Sequence, residues 1–338
     1  MSTVDLRESS ARVDRSGPQS GLPSDPRSLA ARRRWASALL LVPLTLTVPA
    51  WLGRDQDEIA SRLRAEGLSG AAIPAIPLQV NESVQHWIEE FRTTRRAEFE
   101  ALLERRGVFE GLIRGKLRDR GMPEELLYLA MIESGFSPDA ESRASAVGIW
   151  QFMGPTALDL GLRVDEYVDE RRDPVRATDA ALDYLEYLYG RFGSWTLAAA
   201  AYNAGPNRVE RVLHRHADGR TGDDDIYWEV LRYLPRETRD YVPRLVATTI
   251  LANDADALGF TAGAPAYEFE RVFVPGRTTL ASVAVSLGVD VGIVRDLNPH
   301  LIRGVTPPGE LYGVRVPVGG TPQVMAYMAQ GLTAAAAD

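Results

Sequence analysis

The chain contains no cysteine. That excludes disulfides, thiolate metal sites, a cysteine nucleophile and a lipid anchor attached through an N-terminal cysteine. Histidine is scarce, with only His86, His214, His216 and His300. His214 and His216 stand two apart, which suits neither one helical face nor a HExxH-type zinc site. No metal and no other cofactor is expected. Lysine is almost missing too. Lys116 is the single example, so arginine carries nearly all the positive charge. Arginine pairs with carboxylates better than lysine does, although a biased genomic composition is the plainer reading. A basic excess is also lacking, since the formal net charge is -8. Nothing points to a nucleic-acid-binding face, and nucleic acid is not an expected partner.

What is present fits an ordinary globular protein. The chain has 338 residues, 45% hydrophobic and 25% charged, enough for two modest domains or one large one. A polar leader rich in Ser, Pro and Arg ends in Arg32-Arg33-Arg34, and an apolar stretch runs from Trp35 to Leu52. Charge followed by an apolar run is the export pattern. The stretch is near the lower length limit for a membrane span and contains Pro43 and Pro49. Three readings stay open: a cleaved signal with Ala50 at the cleavage site, a retained membrane anchor, and a core helix of a soluble protein. The first two place the rest of the chain outside the cytoplasm. Residues 1–53 are therefore expected to form a signal sequence or anchor, and 54–79 a linker containing Ala71-Ala-Ile-Pro-Ala-Ile-Pro77.

From Asn81 a 3.6-residue period appears in Val84, Trp87, Ile88 and Phe91, then Phe99, Leu102 and Leu103. Further helices are predicted around 108–119, 123–134, 154–160, 176–191, 195–202, 206–214, 226–232 and 238–254. No strand alternation interrupts residues 81–255, so 80–258 reads as an all-helical domain. After Gly259 the pattern changes. Tyr267–Val274 alternates like a strand, helices follow over Leu280–Leu287 and Asp290–Leu297, and Val314-Arg-Val-Pro317 is a second strand. This defines a small strand–helix–helix–strand module over 267–318. A Thr/Ala-rich tail, 319–338, is expected to be flexible and to pack weakly.

The candidate chemistry centres on Glu133. Pro123-Glu124-Glu125 starts a helix well, with acids near the positive end of its dipole. Leu126, Leu127, Leu129, Ala130, Met131 and Ile132 make that helix almost wholly apolar, Glu133 ends it, and Gly135 lets the chain turn away. A carboxyl in apolar surroundings resists ionisation, and holding its proton near neutral pH takes ~3 kcal/mol of differential interaction. Such a group can donate to a leaving oxygen. The plain alternative is a helix-end glutamate that simply reaches water. In Gly148-Ile-Trp-Gln-Phe-Met153, Trp150 and Phe152 read as core, whereas the Gln151 amide is suited to orienting the acid or binding a sugar acetamido group. Ala198-Ala-Ala-Ala-Tyr-Asn-Ala-Gly-Pro206 ends a small-residue helix in Tyr202-Asn203.

Taken together, these segments resemble lytic transglycosylases of the goose-type-lysozyme-like family, glycoside hydrolase family 23. The subgroup they resemble is that of membrane-bound lytic murein transglycosylase D. The motifs, in order, are Glu133-Ser134, Gly148-Ile149-Trp150-Gln151, Ala201–Gly205, and Glu237-Thr-Arg-Asp-Tyr-Val-Pro243 with Tyr241 as its key residue. Asp169-Glu-Arg-Arg-Asp-Pro174 also fits the subgroup, and the resemblance spans about Pro77 to Leu258. It implies a mainly α protein with a lysozyme-like helical catalytic domain. It also implies an exported enzyme that cuts peptidoglycan glycan strands. Glu133 would protonate the bond between N-acetylmuramic acid and N-acetylglucosamine. It would then act as base on the C6 hydroxyl of the same muramic acid, giving a 1,6-anhydro end. Ser134, Gln151, Tyr202, Asn203 and Tyr241 would orient Glu133 or hold the sugar.

An inverting hydrolase needs a second carboxylate about 6.5–9.5 Å away. Asp139 and Glu141 are the acids in the adjacent loop, and they read as solvated charges. The C-terminal module resembles a LysM peptidoglycan-binding module through Phe273-Val-Pro-Gly-Arg-Thr-Thr-Leu280, Leu297-Asn-Pro299 and Pro308-Gly309. An acid usual after its first strand is missing, and sugar binding and a purely capping role both remain open. The expected function is cell-wall remodelling in the periplasm or envelope, with the membrane as a further partner if residues 35–52 are retained. A lysozyme-type muramidase and a catalytically silent peptidoglycan-binding protein are the alternatives.

Overall fold

A computed structural model describes residues 75–255, 257–260, 265–309 and 311–335. The expected signal or anchor, residues 1–53, lies outside them, as do residues 54–74 of the expected linker. Among the described residues no helix is long and apolar enough to cross a membrane.

Helix α1, Glu82–Arg92, starts where the Asn81 side chain accepts from Val84 N at 3.1 Å. Helix α2, Arg96–Asp119, is a single 24-residue helix that buries Phe99, Leu103, Ile113 and Leu117. Gly107, Gly111 and Gly115 do not interrupt it, because the apolar face continues past them. A 3₁₀ turn at Glu124–Leu126 leads into α3, Leu127–Ser134, which is buried at every position except Glu133. Each leucine or isoleucine so buried contributes ~1.5–3 kcal/mol. Gly135 ends α3 in the left-handed region, φ 61°, and a Cβ there would stand 2.6 Å from Leu102 Cδ2 and 2.8 Å from Arg105 Nη2. Arg105 Nε donates to Gly135 O at 2.7 Å.

Helix α4 spans Gly154–Asp159, α5 Pro174–Phe192, α6 Trp195–Ala204, α7 Pro206–His216 and α8 Asp225–Val230. The alanines of α6 let it pack against α5 and α7. Helix α9, Arg236–Asn253, packs on α1, α3 and α6 and carries Pro243 inside it. Proline has no N–H to bond the carbonyl of Arg239 four residues back. The buried Tyr227 hydroxyl takes that role, donating to Thr238 O at 2.9 Å and to Arg239 O at 3.2 Å. Helix α9 thus keeps its course with a proline two residues after Tyr241.

The C-terminal module pairs β1, Glu270–Val274, antiparallel to β2, Tyr312–Val316, with Val272 opposite Val314. Between them lie α10, Leu280–Leu287, and α11, Val291–Leu297, in the order read from the sequence. The first strand begins later than its alternation suggested. Tyr267 instead packs on Phe109 of α2 at 5.2 Å between ring centroids and donates to Leu297 O at 2.7 Å.

The expected flexible tail is corrected in part. Residues Thr321–Ala335 form helix α12, which packs on β1 and α10 and buries Val324 completely. Alanine favours helix, and Glu270 accepts from Gly319 N at 2.9 Å and from Thr321 N at 3.2 Å, a carboxylate at a helix start.

Candidate active site

Glu133 is the penultimate residue of α3, and the apolar body of that helix fixes its backbone. Protein surrounds its carboxyl without sealing it off, since the residue keeps some accessible surface. The lost hydration pushes its pKa from 4.5 to about 7. A hydrogen bond from Tyr241 opposes the rise, the Glu237 charge adds to it, and the Arg244 charge opposes it. Burial is the largest of these effects.

Tyr241 Oη donates to Glu133 Oε1 at 2.6 Å. Burial and the Glu133 charge hold the Tyr241 phenol well above its usual value, so it stays a donor. Glu237, Tyr241 and Arg244 stand at i, i+4 and i+7 on α9, one helical face. Arg244 also lies over the Trp87 ring, 5.1 Å from its centroid.

Asn203, at the end of α6, belongs to the same polar group. Its Oδ1 accepts from Thr238 Oγ1 at 2.8 Å, and its Nδ2 donates to Glu237 Oε1 at 3.4 Å. Tyr202 is buried beside it and donates to Trp150 O at 2.8 Å. Ser134 is buried as well. Its Oγ donates to Ile149 O at 2.8 Å and accepts from Ser137 N at 3.2 Å, which ties the end of α3 to the loop over residues 139–152.

That loop presents Gln151 in the left-handed region, φ 51°. Its Nε2 donates to Gly148 O at 2.9 Å and to Ala140 O at 3.3 Å. Among the described residues no donor is bonded to its Oε1. Trp150 is core, completely buried, with its indole N–H on Thr178 Oγ1 at 3.0 Å. Gly148 has φ 86°, and a Cβ there would sit 1.8 Å from Arg171 O. No other residue fits that contact.

Asp139 and Glu141 are mostly exposed and pair with Arg172 at 3.5 and 3.3 Å. The acid that acts on Glu133 is a different one, Glu237. Sequence reasoning left it inside the tyrosine motif without a role, and missed Arg244 altogether. The available signal was helical spacing, one turn before and one turn after Tyr241.

Comparison with known sequence families decides what this arrangement belongs to. The transglycosylase SLT domain family matches residues 112–223, a span that holds Glu133, Gln151 and Asn203. Residues 112–223 are a transglycosylase SLT domain. Residues 268–330 match the family described as lytic transglycosylase MltD, LysM-like domain. Tyr241, Glu237 and Arg244 lie beyond the matched SLT span, on a helix that the fold returns to it.

The chain is 34% identical over 229 residues to membrane-bound lytic murein transglycosylase D of Escherichia coli (strain K12), covering 66% of this chain and 49% of that protein. It therefore spans about half the length of that relative. It is 33% identical over 126 residues to the soluble lytic murein transglycosylase of the same organism, covering 36% of this chain and 19% of that one. Among solved structures, the lytic transglycosylase Slt of Pseudomonas aeruginosa overlays with a TM-score of 0.36 at 25% identity, over 43% of this chain and 24% of that one. So partial an overlay carries no part of the functional assignment.

Around the SLT domain's acid, then, one tyrosine donates and one carboxylate and one guanidinium set the local charge. Among the described residues no cluster of His, Asp and Glu is arranged to hold a metal ion.

Proposed function

We propose that this protein is a peptidoglycan lytic transglycosylase. The observation that carries the reading is the Glu133 carboxyl, raised to about 7 by burial and held by Tyr241. The SLT match and the named lytic transglycosylase relatives support the substrate class. At neutral pH a substantial fraction of Glu133 is protonated and able to donate to the glycosidic oxygen between N-acetylmuramic acid and N-acetylglucosamine. The C1–O bond breaks as that oxygen takes the proton. Glu133, now a carboxylate, accepts the proton of the C6 hydroxyl while O6 bonds to C1 of the same muramic acid. One bond forms, one breaks, the proton returns to Glu133, and no water is consumed. An intramolecular nucleophile gains from proximity.

In this reading Tyr241, which donates to Glu133 Oε1, orients the acid. Gln151 Oε1 is offered to the sugar. Asn203 acts through Glu237, and Ser134 and Tyr202 support the loop and helix ends behind the acid. The resemblance to a membrane-bound relative makes the cell envelope the proposed location.

Glu237 favours a second reading, a muramidase, because it supplies a carboxylate near Glu133 that the flanking loop does not. Its Oε1 accepts from Asn203, so we assign it to tuning Glu133. Digestion of sacculi in heavy-oxygen water separates the two reactions. A transglycosylase leaves 1,6-anhydro ends without the label, whereas labelled reducing ends would establish a hydrolase.

A further inference from the structure

Residues 166–173 lie inside the SLT domain in sequence, between α4 and α5, yet their packing belongs to two places. On one side they enter the LysM-like domain. Val168 is completely buried in a cluster with Val272, Leu280, Val283, Val314 and Val316. It bridges Leu301, and the bonds Asp169 N to His300 O at 2.9 Å and Ile302 N to Tyr167 O at 3.2 Å extend the pairing. Asp173 caps α5 and also receives Arg315 Nη2 on both carboxylate oxygens at 2.7 Å, with each side chain buried.

On the other side the same segment holds the loop over 139–152. Asp169 Oδ1 and Oδ2 fix the Arg171 guanidinium at 2.9 and 2.8 Å. Arg171 Nη1 then donates to Ser145 O at 3.1 Å and to Phe152 O at 3.3 Å. Ser145 has φ 63° and Gln151, next to Phe152, has φ 51°. Non-glycine residues hold such conformations when their surroundings over-determine them. One guanidinium thus grips the loop at or beside both left-handed positions, and the Arg171 carbonyl fills the space that Gly148 leaves.

We propose that the LysM-like domain is a positioning element for the loop that carries Gln151, and that Arg171 is the positioning residue that joins them. The domain secures Val168 and Asp173, those residues fix the 3₁₀ turn between them, Glu170–Arg172, and Arg171 holds the loop from that turn. The backbone of Ile149 then receives Ser134, the neighbour of Glu133. The domain's part in turnover rests on the transglycosylase reading above. Its part in loop order does not.

The test uses the full chain. Asp173→Asn with Arg315→Met removes the buried pair while keeping a side chain able to cap α5. Arg171→Gln cuts the grip directly, and Arg171→Lys is the conservative variant. The readouts are hydrogen exchange of the bonded amides of Val147, Gly148 and Phe152, together with kcat and KM on sacculi. Exchange about tenfold faster than in the parent is expected, with kcat down about tenfold, KM within about twofold, and partial recovery with lysine. Arg220→Ala, which removes an exposed pair with Glu229 outside that segment, leaves both readouts unchanged. Parent-like loop exchange in a folded pair variant would overturn the proposal whatever happened to activity. If the pair variant does not fold, Val168→Ala replaces it under the same criterion. Faster loop exchange in the variants of a parent inactive on sacculi would uphold the positioning role and refute the activity.

Discussion

Tyr241 donates a 2.6 Å hydrogen bond to Glu133 across 108 residues of sequence. The bond joins the end of one buried helix, α3, to the middle of another, α9. It places a donor that does not ionise beside an acid whose pKa is about 7. That pair and its surroundings set how the protein should respond to substitution and to pH.

Glu133→Gln keeps the size of the side chain and removes its proton transfer. Turnover on sacculi is expected to fall by at least ~100-fold. Stability moves the other way. A carboxyl raised from 4.5 to about 7 favours the fold fully below about 4.5, and that contribution is lost as pH climbs through about 7. The glutamine variant does not ionise and escapes the loss. Relative to the parent it should gain up to ~3 kcal/mol between pH 5 and pH 8, read from urea midpoints. A difference that does not change with pH would mean that Glu133 is not desolvated.

Tyr241→Phe removes a bond that favours the ionised acid. The Glu133 pKa should then rise, moving the alkaline limb of the rate profile to higher pH. The lost orientation should lower kcat about tenfold. Rate profiles across pH 5 to 9 check both effects.

Glu237→Gln acts in the opposite direction. Its charge raises the Glu133 pKa, so neutralising it should move the same limb to lower pH. The opposite signs of the two variants are the informative result. Shifts in the same direction would show that Glu237 does not act on Glu133 by charge.

Gly148→Ala should cost more than ~3 kcal/mol or displace the loop, because its Cβ would meet the Arg171 carbonyl at 1.8 Å in a left-handed backbone. Thermal unfolding measures the first outcome, and loss of loop amide protection reports the second.

Acid should loosen the contact between the two domains. Burial holds the His300 imidazole down at about 4, against the raising effect of Asp173 and with the help of Arg315 and Arg271. A depressed histidine contributes stability that is present above about 6.5 and lost as pH falls through about 4. The protection of the Asp169 amide, bonded to His300 O, measured against its intrinsic exchange rate at each pH, should therefore fall over that range. His300→Gln should flatten the dependence.

Much of the architecture was legible from local pattern. The helical period from Asn81, the apolar run that ends in Glu133 and the strand–helix–helix–strand order after Gly259 depend on residues a few positions apart. Element ends were less legible where distant contacts set them. Tyr267 was read as strand and packs on Phe109 instead. Residues 321–335 read as a weak tail and form a helix, because Val324 finds the module's core and Glu270 caps the start.

By itself, the sequence determined that a glutamate stands at the end of an apolar helix, and that tyrosine, asparagine and glutamine motifs accompany it. Spacing and side-chain chemistry are enough for that. Only the tertiary structure decided which groups reach the acid. Tyr241, Glu237 and Arg244 do so because α9 packs across α3, a relationship that local periodicity does not encode. It also decided that the second carboxylate comes from α9 and not from the loop of Asp139 and Glu141. In the same way Arg171 and Arg315, which look like ordinary charges in the sequence, became internal struts. Burial beside Asp169 and Asp173 strips these arginines of water, so carboxylates and carbonyls take its place.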